Sequence, residues 1–130
     1  MPLTHLSEHE EYLGKEIVDC AFKVHKNLGG GLLEKVYEAC LCYELEKKGI
    51  KYKRQVSLPI IYDDKVFDEG LIIDILVDDL IICELKAVDK VNDIWQAQII
   101  SHLKISGLRL GYLINFNVAL VKDGIKRFVI

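Results

Sequence analysis

At 130 residues, 51% of them hydrophobic, the chain can bury about two thirds of its unfolded surface in one core and needs no second domain. Its net charge of −3 and pI near 5.8 exclude strong non-specific attraction to nucleic acid through the overall field, and leave a local basic groove for any such contact. No apolar run approaches the ~20 residues that span a bilayer, and a mean hydropathy of +0.18 predicts an apolar patch covered by a second copy, a homodimer.

The N-terminal stretch MPLTHLSEHEEYLGKE is polar and acidic rather than basic and then apolar, so no secretory leader is expected and cytoplasmic residence follows. Cys20, Cys40, Cys42 and Cys83 make no CxxC pair and have no histidines at zinc-finger spacing. They fall within apolar patterns and read as small buried hydrophobes rather than zinc ligands or disulfides.

From about Ser7 to Asn27, the residues Leu13, Ile17, Val18, Ala21, Val24 and Leu28 recur at steps of three and four, which predicts an amphipathic helix. Ser7 with Glu10 has capping-box spacing and would start it. Gly29-Gly30-Gly31 then breaks it. No Lys-Ser/Thr follows, so this is a hinge between helices and not a phosphate loop. A second helix is predicted over Leu32–Lys48, ended by Gly49, with Leu33, Val36, Tyr37, Cys40 and Leu41 on its buried face. Glu34 sits in its first turn, where it would favour the positive end of the helix dipole by under about 1 kcal/mol.

Lys51-Tyr-Lys-Arg54 leads into an alternating strand, Gln55–Tyr62, whose Pro59 marks an edge or a bulge. The basic cluster reads either as a charged edge that resists aggregation or as a phosphate contact. Asp63-Asp64 turns the chain back. Leu71–Lys86, LIIDILVDDLIICELK, then holds two apolar runs read as an antiparallel hairpin. Asp74 interrupts the first run, and Glu84 and Lys86 close the second on one face, with Leu85 on the other. Burying such charges without partners would cost several kcal/mol apiece, so something compensates. A two-residue turn at Asp78-Asp79 would put Asp74 and Glu84 on opposite faces. A three-residue loop over Asp78-Asp79-Leu80, or a bulge, restores Asp74 opposite Glu84.

Asn92–Ser106 predicts a helix with Ile94, Gln98, Ser101, His102 and Ile105 along one side, stopped by Gly107. Leu110–Asn115 is a short apolar strand. Val118–Lys122 and Ile125–Ile130, joined by Asp123-Gly124, read as a hairpin. The expected fold is α/β: one domain, with a mixed central sheet of about five strands flanked by helices and the acidic cluster at an edge of the sheet.

Asp74-x(9)-Glu84-x-Lys86 resembles the signature of the PD-(D/E)XK nucleases, and Gly31-Leu-Leu-Glu34-Lys-Val-Tyr37 is similar to the GxxExxY motif of a bacterial family placed in that superfamily. The likeness runs on through Glu44-Leu45, Gln55, Gln98, Gly111, Asn115-Phe116 and Lys126-Arg127. It implies hydrolysis of phosphodiester bonds in DNA or RNA with Mg²⁺ or Mn²⁺. Asp74, Glu84 and the Leu85 carbonyl would bind the metal, with Glu34 as a further acidic ligand or water-binding group. Lys86 would orient or help deprotonate the attacking water, and Gln98 would position substrate or the lysine. Lys126 and Arg127 would contact nucleic acid or simply occupy an exposed strand face. His102 stands where relatives carry tyrosine, either lining the substrate pocket or packing as a polar residue. The alternative is a catalytically inactive module of the same fold that binds nucleic acid or protein.

Overall fold

The computed structural model describes residues 5–130. Met1–Thr4, at the start of the stretch expected to carry no leader, lie outside the described residues. The capping box forms as read: Ser7 Oγ accepts from the Glu10 N–H at 3.0 Å, and the Glu10 carboxylate accepts from the Ser7 N–H at 2.8 Å. Both donors belong to the first turn, where helix geometry leaves them without partners, and α1 (Glu8–Leu28) begins there. Leu13, Ile17, Ala21 and Val24 are buried as their spacing predicts, while Leu28 is exposed.

The glycine hinge takes left-handed backbone at Gly29 (φ 68°) and Gly31 (φ 91°), where a side chain would be strained. Tyr37 closes it: its hydroxyl donates to the Gly29 carbonyl at 2.7 Å and accepts from the Leu32 N–H at 3.2 Å. The Tyr37 ring stacks on Phe116 with centroids 4.5 Å apart. In α2 (Glu34–Lys47) the buried residues are Tyr37, Glu38, Leu41, Cys42, Glu44 and Leu45. Leu33 and Val36, expected inside, are exposed, Leu33 by 76%. The helix is rolled from the expected face because its contacts with the sheet include polar ones: Glu38 meets Arg54 and Gln55 while Tyr37 stacks on Phe116.

Among the described residues five strands form one mixed sheet in the order β1 (Tyr52–Tyr62), β2 (Lys65–Val77), β3 (Ile81–Lys86), β4 (Leu110–Asn115), β5 (Ile125–Val129). Only β3 and β4 are parallel, joined through α3 (Ile94–Ser106). One core packs α1 and α2 against the sheet, and a second packs Ile99 and Leu103 of α3 against the other face. β1 is an edge strand, and its register shifts between Leu58 and Ile60, so Pro59 marks both an edge and a bulge.

Two expectations are corrected. Val118–Lys122 is not a strand. Val121–Gly124 is a 3-10 turn, Val121 plugs the core, and β5 pairs directly with β4. Gly124 backs onto the Asn115 carbonyl so closely that a Cβ would come within 2.1 Å of it, so the glycine serves this approach to the end of β4 and not a hairpin tip. The acidic cluster, expected at an edge, lies in the interior of the sheet, with Asp74 on β2 and Glu84 and Lys86 on the middle strand β3, at the carboxyl end of the parallel pair. The four cysteines are free, and burial raises the thiols of Cys20 to about 11 and Cys42 to about 12. Among the described residues no helix is long and apolar enough to cross a membrane.

Candidate active site

The β2–β3 hairpin closes on a three-residue loop. Val77 pairs with Ile81, and Asp78 and Asp79 adopt left-handed backbone (φ 50° and 55°) while the Leu80 N–H donates to the Val77 carbonyl at 2.9 Å. Aspartate tolerates this conformation better than most residues, which suits the Asp-Asp pair to the tip. The register continues through Ile75↔Cys83, so the next positions out are Asp74 and Glu84. There the ladder stops. The Asp74 carboxylate takes over, its Oδ2 accepting from the Leu85 N–H at 2.8 Å, and β2 diverges from β3.

A second irregularity faces the same point from β1. Gln55 lies between the paired positions Arg54↔Ile75 and Val56↔Ile73 but is not itself paired, and its φ is +50°. The alternation of both strands breaks here. Ile75 packs in the core under α1 and α2, whereas Ile73, two residues away, packs in the core under α3. Asp74 therefore stands at a corner of the sheet, directed toward the edge of β3.

The electrostatics follow from this crowding. The Glu84 side chain is 13% exposed, and burial pushes its carboxyl above the ordinary range. His102 Nδ1, 3.2 Å from Glu84 Oε1, pulls it back, while the adjacent Asp74 carboxylate raises it further. The Lys86 ammonium sits 4.5 Å from the centroid of the Trp95 ring, a cation–π contact. Trp95 and His102 are two helical turns apart, so one face of α3 covers both charged residues of β3.

These residues suit a hard divalent cation. The Phe116 N–H donates to the Lys86 carbonyl, so the backbone of Lys86 faces β4 and that of Leu85 faces β2. The Leu85 carbonyl consequently opens on the same gap as the Asp74 and Glu84 carboxylates. Two carboxylates and a carbonyl are oxygen donors of the kind that Mg²⁺ and Mn²⁺ take while keeping several waters. Among the described residues no three His, Cys, Asp or Glu side chains gather as a metal cluster.

The structure thus brings together Asp74, Glu84, Leu85 and His102, with Lys86 beside them. Glu34 is exposed in the first turn of α2, and Gln98 is exposed on α3, one turn before His102. Lys126 and Arg127 point to opposite faces of β5. Lys126 pairs with Leu113, which pairs with Glu84, so Lys126 shares a row with Glu84. Arg127 is on the other face, where its Nη2 donates to Glu11 Oε1 at 2.6 Å.

Sequence reasoning missed Glu38 and Trp95. Glu38 is buried, and it accepts from Arg54 Nε at 2.9 Å and from Gln55 Nε2 at 2.7 Å. A glutamate immediately after the buried Tyr37 was the available signal. Asn115 is also buried. Its Oδ1 accepts from the Val88 N–H at 3.1 Å and its Nδ2 donates to the Val88 carbonyl at 3.0 Å, which fixes the segment that leaves Lys86.

The family model of the PD-(D/E)XK nuclease superfamily matches residues 11–128. No curated protein and no solved structure matches the chain.

Proposed function

The chain belongs to the PD-(D/E)XK nuclease superfamily, and on that premise we propose that it is a divalent-metal-dependent phosphodiesterase of DNA or RNA, of the GxxExxY branch. A bound Mg²⁺ or Mn²⁺ supplies polarisation of the scissile phosphate and an acidified water. Asp74, Glu84 and the Leu85 carbonyl hold it, and Glu34 serves as an outer water-binding group. Lys86 leaves the Trp95 ring, and its ammonium orients the attacking water. His102 keeps the Glu84 carboxylate aimed at the gap, Gln98 positions substrate beside Lys86, and Lys126, in the row of Glu84, is an outlying contact to the nucleic acid, whereas Arg127 lies on the opposite face. Cytoplasmic residence belongs to the same proposal, supported by the four free cysteines.

The observation that carries this reading is the Glu84 carboxyl, buried and raised beside a second carboxylate that is fixed by the Leu85 N–H. A sheet built only for stability gains nothing from seating two acids together, whereas a cation reverses the cost. The test is Mn²⁺-dependent cleavage of labelled single-stranded, duplex and branched DNA and RNA by the wild type and by Lys86→Ala. Cleavage by the wild type that is lost in the variant, with an unchanged fold, is expected. Undiminished cleavage by the variant removes the assignment. A second reading, an inactive nuclease-fold module, draws on the Lys86 ammonium being engaged by Trp95, and metal binding without cleavage of any member of the panel would favour it.

A further inference from the structure

Five residues other than glycine have positive φ among those described, and four of them are aspartates at the tips of the two β-hairpins. The fifth is Gln55, in the middle of β1 with φ +50°. Side-chain-bearing residues adopt this region at a cost in free energy, and in mid-strand it also forfeits ladder pairing, so it persists only where the surroundings enforce it. The side-chain contacts supply the reason. Gln55 Nε2 donates to Glu38 Oε1 at 2.7 Å and lies 3.5 Å from Asp74 Oδ1. An amide NH₂ has two hydrogens, one for each carboxylate. Glu38 is itself held: it is buried, and its Oε2 accepts from Arg54 Nε at 2.9 Å. The left-handed turn also separates the neighbours of Gln55. Arg54 reaches α2, while Val56 packs on the other face with the α3 core. Regular alternation would put both on one side.

We propose that Glu38 and Gln55 are positioning residues for Asp74. They tie the buried face of α2 to this carboxylate through one amide, and so fix its Oδ1 while the Leu85 N–H fixes its Oδ2. The inference rests on the reading of Asp74 as a metal-holding group. It assigns the backbone distortion of β1 to the site rather than to the stability of the sheet.

The test measures binding of Mn²⁺ alone, by calorimetric titration, to the full chain and its variants, beside their melting temperatures. Glycine accepts φ +50° freely, which offsets the loss of the Glu38 hydrogen bond, so Gln55→Gly should melt close to the wild-type temperature, yet bind Mn²⁺ about 10–100-fold more weakly, the range for loss of an outer partner of a metal ligand. A residue that only held the sheet together would show the reverse pattern. Glu38→Gln keeps an oxygen to accept from Gln55 and should retain more affinity than Glu38→Ala. If Gln55→Gly does not fold, Gln55→Asn decides, because asparagine tolerates the same backbone but is one methylene too short to reach both carboxylates. Wild-type affinity in the glycine or asparagine variant overturns the positioning role alone. Absence of Mn²⁺ binding by the wild type overturns the reading of Asp74 and this inference with it.

Discussion

Replacing Asp74 by asparagine should make the protein more stable and its site useless. In the wild type, Asp74 Oδ2 accepts from the Leu85 N–H at 2.8 Å, and the carboxylate raises the adjacent Glu84 carboxyl. Asparagine keeps an oxygen for Leu85 and turns an NH₂ toward Glu84, so repulsion becomes a hydrogen bond. Two unit charges about 4 Å apart repel by about 4 kcal/mol at an effective dielectric of about 20. His102 already offsets much of that, which leaves a net gain on the order of 1–2 kcal/mol. The cost is the Gln55 contact at 3.5 Å, which in the metal-free protein is worth less than the repulsion removed. For a chain of this length about 1 kcal/mol moves the Tm by about 4 °C, so Asp74→Asn should melt about 4–8 °C above the wild type in EDTA. Mn²⁺ at about a hundredfold excess over its Kd should then stabilise the wild type by about 2.7 kcal/mol and leave the variant unmoved. Scanning calorimetry with EDTA and with Mn²⁺ reads both effects. A variant that melts below the wild type in EDTA, or that gains as much from Mn²⁺, refutes the reasoning.

Two further outcomes concern Glu84 and the Tyr37 hinge. Because the Glu84 carboxyl titrates above its ordinary value in the folded state, the native protein holds a proton that the unfolded chain has released, and stability falls as pH rises from the ordinary carboxylate range through that raised value. Glu84→Gln should flatten this part of the stability–pH curve and melt above the wild type near neutral pH, and parallel curves would contradict it. Tyr37→Phe keeps the stack on Phe116 but strips the Gly29 carbonyl and the Leu32 N–H of their shared partner, so its urea midpoint should fall by the equivalent of about 1–3 kcal/mol at an unchanged m-value. An unshifted midpoint would mean that the hydroxyl does not hold the hinge.

The features legible in the sequence were those set by local chemistry or by parity. Ser7 and Glu10 announce a helix start because the capping box is a local pattern. The three-residue loop was readable because Asp74 and Glu84 can meet only if the register skips one position. The burial of α2 was not readable in this way. Leu33 and Val36 look like core, but Tyr37 and Glu38 hold the helix to the sheet through contacts that no periodicity encodes. Asp123-Gly124 looked like a hairpin tip, yet Gly124 is required by its approach to the Asn115 carbonyl, a distant neighbour in the chain. The left-handed Gln55 gave no local sign, since glutamine has no special preference for that conformation. It makes sense only beside Glu38 and Asp74.

The most direct measurement is a crystal of the full chain soaked in millimolar Mn²⁺, with data collected at a wavelength where manganese scatters anomalously. The account predicts an anomalous peak bounded by Asp74, Glu84 and the Leu85 carbonyl. A map with no peak there, or with peaks only at surface carboxylates such as Asp63 or Asp79, would contradict it.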